Sequence, residues 1–119
     1  MMYAYQIILE NREIGFSIYF TTEQTMTIYH QPDQREEAKF LMKLVGINSV
    51  LDEEGDGYLR FKCSRHIFTD VMDSYDERLG MYQFDENDLA VADVVADSIE
   101  WLIGNELDLV FDSDFEEGE

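Results

Sequence analysis

Four carboxylates, Glu86, Asp93, Asp97 and Glu100, recur at spacings of seven, four and three along an otherwise apolar stretch. On a helix rising about 1.5 Å per residue, Asp93, Asp97 and Glu100 stand about 4.5–6 Å apart along the axis. That step is on the scale of phosphate spacing along a nucleic-acid strand, about 3.4 Å of axial rise per nucleotide. The chemistry open to such a row is electrostatic. It can stand where a phosphate row would stand and meet a basic groove. Within this sequence no Lys or Arg follows Arg78 to pair with these groups. Like charges at i, i+4 destabilise a helix, so the row calls for a reason. A solvated helix face is the ordinary one, and the local excess of acid brings partner binding level with it. Asp85 and Asp88 at the start of the same stretch extend the candidate partner-binding set. So do Asp73, Asp76 and Glu77 before it and Asp108, Asp112 and Asp114 after it, although solubility alone accounts for flanking acids of this kind.

Other chemistries find less support. Asp52, Glu54 and Asp56 followed by Gly57 resemble the start of an EF-hand loop, but the twelfth position is Cys63 where a bidentate Glu is needed. Asp112, Asp114 and Glu116 fail as well, because the sixth position is Glu117. Cys63 and His66 are close in sequence without an orienting third group or oxyanion donors, so a buried structural thiol is expected. His30 and His66 lack the companions of a zinc signature and are expected as surface or cap residues. No phosphate-binding glycine loop or dinucleotide fingerprint occurs. Neither an enzyme nor a cofactor or metal site is expected. The basic residues Arg60, Lys62 and Arg65 are expected to pair with acids of the same domain.

The charge is uneven along the chain. Of 119 residues 27 are Asp or Glu and eight are Lys or Arg, a net −19. Residues 1–30 and residues 31–70 each carry −2, whereas residues 71–119 hold sixteen acids against one base, a net −15. Such a field repels DNA, RNA and anionic membranes and draws in basic surfaces. Its concentration in one part argues against halophilic adaptation, which would spread acid evenly. Hydrophobic residues make up 45%, and eight Phe, seven Tyr and one Trp are too many aromatics for a disordered acidic chain. One cysteine excludes an internal disulfide framework. With no signal-peptide pattern and no long apolar run, a soluble cytoplasmic protein is expected.

These residues need a fold to position them, and periodicity supplies one. Residues 3–10, 15–21 and 25–30 read as three strands, the last with Met26 and Ile28 on one face and Thr and Tyr on the other. Pro32 opens a helix with an apolar stripe of Ala38, Leu41, Leu44 and Val45, stopped by Gly46. Residues 47–51 and 58–63 read as a hairpin. Ser64 is expected to cap a second helix reaching Leu79, with Ile67, Phe68, Val71, Met72, Tyr75 and Leu79 as its stripe. Residues 81–84 are strand or loop. A last helix begins near Asp85 or Asn87 and ends at Ile103, with Leu89, Ala92, Val95, Ala96, Ile99, Leu102 and Ile103 facing the core. Residues 106–111 form a final strand. The expected fold is α+β, a mostly antiparallel sheet with about three helices. It forms one domain over 1–111, followed by a short acidic tail over 112–119. Tyr75, Tyr82 and Phe84 adjoin the acidic part as possible interface aromatics, with core packing preferred for Phe84.

The function expected from charge and spacing is that of a DNA mimic. Carboxylates would replace phosphates on the nucleic-acid face of a basic protein, such as an HU-type histone-like nucleoid protein, a restriction or CRISPR effector, a repair enzyme or a repressor. The chain itself would touch neither nucleic acid nor membrane and would be a monomer or a dimer. The rivals are an immunity protein for a cognate toxic nuclease and an acidic chaperone or assembly subunit. The chaperone requires a large apolar patch, and no long exposed apolar stripe is expected here.

Overall fold

The computed structural model describes residues 2–21 and 24–112. Asp114 and the rest of the expected tail beyond Asp112 lie outside the described residues. The strands are β1 (Met2–Ala4), β2 (Gln6–Asn11), β3 (Phe16–Phe20) and β4 (Thr25–Tyr29). After α1 (Arg35–Val45) come β5 (Gly46–Ile47), β6 (Val50–Gly55), β7 (Tyr58–Lys62), β8 (Arg65–His66), β9 (Tyr75–Asp76) and β10 (Met81–Phe84). Then follow α2 (Glu86–Ile103) and β11 (Asp108–Asp112). The class is α+β, and the strand pairs of the described residues are antiparallel.

The main sheet runs β11-β2-β3-β4-β7-β6. Its inner face follows from alternation. Phe16, Ile18 and Phe20 of β3 are buried between Ser17 and Tyr19, which point to the other side. The register carries this face across the sheet: Ile18 pairs with Leu9 and Ile28, and Ile28 pairs with Leu59. Both helices cover that one face. Ala38, Leu41, Met42 and Val45 of α1 and Ala92, Ala96 and Ile99 of α2 join a single core with the strand residues. α1 packs on β4 and β7, and α2 packs on β10 and β11.

Four expectations are corrected. The strand expected over 3–10 breaks at Tyr5, so β1 pairs with β10 while β2 joins the main sheet. Tyr5 is held at the break by its backbone N–H, which donates to Asp112 O at 2.9 Å. The helix expected over 64–79 does not form, leaving two α-helices among the described residues. In its place stand β8, a 3-10 turn (Val71–Ser74) and β9. Its side chains compete for backbone donors. Thr69 Oγ1 accepts from His66 N at 2.7 Å, His66 Nδ1 from Phe68 N at 3.2 Å, and Asp76 Oδ1 from Arg78 N at 2.9 Å. Ser64 is accordingly no cap, and its backbone N–H donates to Ile47 O at 2.9 Å. Gly46 ends α1 in extended geometry and opens β5; a Cβ there would meet Met26 Cε at 2.5 Å and Ser49 Oγ at 2.7 Å.

The fourth correction concerns the histidines, which are both buried. His66 lies 5.2 Å from the Phe20 ring. Its Nδ1 accepts from Phe68 N, which leaves Nε2–H to face Thr21 O at 3.5 Å. Burial lowers its pKa from the usual 6.5, a shift partly offset by the Thr21 carbonyl. Protonation would also place a hydrogen on Nδ1 against the Phe68 N–H. The unfolded chain therefore binds the proton more readily than the folded one. Stability from this site is full above the unfolded pKa of about 6.5 and falls as the pH drops through the lower folded value. In denaturant titrations between about pH 7.5 and pH 5.5, His66→Phe is expected to lose less stability on acidification than the parent. Parallel curves would contradict a neutral His66.

Candidate partner-binding surface

α2 is specified at both ends. Asp85 is its N-cap, with Oδ1 accepting from Asp88 N at 2.9 Å, while Asp88 Oδ2 accepts in return from Asp85 N at 3.2 Å. Gly104 closes it at φ +71°, in the left-handed region that favours glycine. The chain then turns into β11, and Glu100 Oε1 accepts from Leu107 N at 2.8 Å.

These contacts divide the expected phosphate-mimicking set. Asp85 and Asp88 form the capping box, and Asp88 Oδ2 also accepts from Ser74 Oγ at 3.1 Å. Glu100 holds the turn into β11 and is half-buried. Asp76 binds the backbone of its own turn and pairs with Arg78 at 3.5 Å. Asp112 Oδ2 accepts from Tyr5 OH at 2.8 Å and Gln6 Nε2 at 2.7 Å. Five of the eleven described candidates thus have structural partners. Glu86, Asp93, Asp97, Asp73, Glu77 and Asp108 are exposed. Glu86, Asp93 and Asp97 share one stripe of α2, since spacings of seven and four return to the same side of a helix.

Six of the eight Lys and Arg residues form ion pairs among the described residues, all away from α2. Among the described residues Arg60 pairs with Asp52 and Glu53, Lys62 with Asp52, Arg35 with Glu54, Arg12 with Glu10 and Arg65 with Asp70. The expected pairing of Arg60, Lys62 and Arg65 within the domain is therefore present. None of these pairs reaches an α2 carboxylate. The carboxylates are also dispersed: among the described residues no three His, Cys, Asp or Glu side chains converge to hold a metal ion.

A second stripe of α2 was not expected. Val91, Val94, Trp101 and Leu102 are exposed, Trp101 to 84%. Their spacing, i, i+3, i+10 and i+11, places them on one side of the helix, between the acidic stripe and the core. Leu102, expected to face the core, belongs to this stripe instead. On α1, Phe40 and Leu44 are likewise exposed, and Leu44 thereby leaves the expected core stripe. The absence of an exposed apolar stripe is thus corrected. Ala92, Ala96 and Ile99 supply a narrow core seam, and the helix carries more large apolar residues than that seam can cover. Among the aromatics, Phe84 is in the core as expected. Tyr82 is buried too, stacked at 5.6 Å on Phe84, and only Tyr75 of the three stays partly exposed. Trp101 is the aromatic that sequence reasoning missed. Its place three residues after Ser98 and seven after Val94 was the available signal.

Cys63 is half-buried, its Sγ donating to Gln24 O at 3.2 Å, and burial raises its pKa. No helix is long and apolar enough to cross a membrane among the described residues. Comparison with family models, with curated proteins and with solved structures finds no match.

The partition of carboxylates can be measured by stability. Asp85→Ala should lower the unfolding free energy by about 1 kcal/mol, as loss of an N-cap does. Asp97→Asn should leave stability unchanged or raise it at low salt, because it removes like-charge repulsion from Asp93. Equal effects of the two substitutions in urea titrations would contradict the division into structural and free acids.

Proposed function

We propose that this chain is an acidic binding protein that covers the nucleic-acid-binding face of a basic protein in competition with DNA, with no chemistry of its own. What carries the reading is the stripe Glu86, Asp93 and Asp97, exposed and without a cation partner among the described residues. A groove built for a phosphate row presents fixed cations, and the helix holds Asp93 and Asp97 about 6 Å apart along its axis, with Glu86 about 10.5 Å before them and little ordering left to do. The net charge of −19 speeds the encounter over long range. Fitting targets are an HU-like nucleoid protein, a restriction or CRISPR effector, or a repair enzyme.

A second reading gains from the apolar side chains beside that stripe. Trp101, Val94 and Leu102 are exposed next to Asp97. Apolar anchors among steering charges suit tight binding of one partner. They favour an immunity protein against a single toxic nuclease, or an acidic chaperone, over a mimic that relies on charge alone.

The two readings separate in one experiment. The chain is immobilised, exposed to host lysate at low salt and eluted with a salt gradient, and the eluate is identified by mass spectrometry. Mimicry predicts a basic DNA-binding protein that duplex DNA displaces and that the double variant Asp93→Asn, Asp97→Asn no longer retains. Glu100 stays unchanged in this variant because its carboxylate holds Leu107. A partner that DNA cannot displace would transfer the case to immunity or chaperoning.

A further inference from the structure

α1 and α2 sit over the same face of the sheet but on different strands, and a groove of about 700 Å³ lies between them. Its floor holds Ile14, Phe16 and Ile28, and its walls hold Phe40 and Leu44 of α1 and Leu102 and Ile103 at the end of α2. Leu102 also borders a shallow depression with Val94, Ser98 and Trp101. The two surfaces therefore form one apolar track, joined at Leu102. Phe40 is 67% exposed and Val94 64%, so large apolar area stays in contact with water along the track.

The charged residues lining this track are all acidic: Glu36 and Glu37 at the groove and Asp97 at the depression. Charge therefore selects the occupant. A second copy of this chain would bring another −19 to an acidic rim, and an anionic lipid surface is repelled in the same way. A small apolar molecule in the groove would leave Trp101 and Val94 uncovered. A cationic protein segment matches both the rim and the track.

Backbone chemistry selects its form. The track is walled by side chains of two helices, which present no strand edge, so it offers no ladder to an extended strand. A segment entering it must satisfy its own N–H and C=O groups, and an α-helix does so. His30 lines the groove, but its free ring nitrogen is buried beneath the surface. Its Nδ1–H faces Gln31 O at 2.8 Å, which leaves Nε2 as an acceptor, and Nε2 is buried without a partner among the described residues.

We propose that the groove between α1 and α2 and its continuation to Trp101 seat a lysine- or arginine-rich amphipathic α-helix of the partner protein. Apolar side chains of that helix enter between Phe40, Leu44 and Leu102, and its cations meet Glu36, Glu37 and Asp97. The inference rests on the reading of this chain as a binder of basic proteins, and it names the part of the partner that is gripped.

The test uses the full chain and a panel of tryptophan-free, lysine-rich helical peptides with Leu, Phe or Ile at helical spacing, each with a sequence-scrambled control. Trp101 is the only tryptophan and reports directly. At least one helical peptide should shift Trp101 emission to the blue and bind about tenfold or more tighter than its scramble. The double variant Phe40→Ser, Leu44→Ser should weaken that binding by about tenfold or more, with the circular dichroism spectrum unchanged because both side chains are exposed. Leu102→Ser provides the same readout from the opposite wall.

Equal binding of scrambled peptides, no Trp101 shift with any of the panel, or indifference to both wall variants would overturn the proposal. So would a concentration-dependent dimer that the wall variants dissolve, which would make the track a contact between copies. Failure here is separable from failure of DNA competition. A DNA-displaceable partner that ignores the wall variants sinks only the groove. Groove-dependent peptide binding with a partner that DNA cannot displace sinks only mimicry.

Discussion

The antiparallel ladder of β11 on β2 ties the acidic part of the chain to a sheet made by its nearly neutral first half. Leu109 pairs with Leu9 and Phe111 with Ile7 across that ladder. Phe111 then reaches Phe84 at 5.2 Å, and Glu100 accepts from Leu107 just before the strand begins. These contacts fix both ends of α2 relative to the core. Without them the net −15 of residues 71–119 would favour expansion of that part, since like charges repel. A packed aromatic cluster under an acidic helix resolves the conflict, because burial of large rings outweighs a repulsion that water and salt screen at the surface. The same arrangement holds α2 in place, so a partner of the proposed kind would find its outer faces already ordered.

Those outer faces differ in kind. One carries Asp93 and Asp97 in register with Glu86, and the next carries Val94, Trp101 and Leu102. In the proposed binding role, charge would govern how fast a basic partner arrives and which partners are refused, and desolvated apolar contact how long it stays. The core explains neither face. The acids lack partners among the described residues, and the apolar side chains lie beyond the seam of Ala92, Ala96 and Ile99. Glu36 and Glu37 on α1 extend the acidic lining across the groove, so both helices contribute to one surface of mixed character.

Much of this was legible in sequence because local chemistry and tertiary packing agreed. The alternation of Phe16, Ile18 and Phe20, the proline ahead of α1, and Asp85 and Gly104 around α2 each mark an element whose local preference matches its burial. The stretch 64–79 was not legible. Its apolar residues recur at helical spacing, but the His66 ring and Asp76 take the N–H groups of Phe68 and Arg78 that a helix would use, and the segment folds into short strands and a 3-10 turn. The sites of individual acids were legible by position only in part. A carboxylate that caps a helix and one that faces solvent look alike until the hydrogen bonds are known, as Asp88 and Asp93 illustrate. The apolar stripe was hidden for a related reason. The core stripe read from helical spacing includes Leu102 and leaves Val91, Val94 and Trp101 without a face, although all four are exposed on one side of α2.

The most direct measurement is the salt dependence of Kd between this chain and a basic partner that duplex DNA displaces, compared with that of the Asp93→Asn, Asp97→Asn variant. If free carboxylates of α2 stand in for phosphates, Kd rises steeply with salt for the parent, and the variant binds more weakly with a flatter dependence. Identical slopes for parent and variant would contradict it and leave the apolar track as the source of binding.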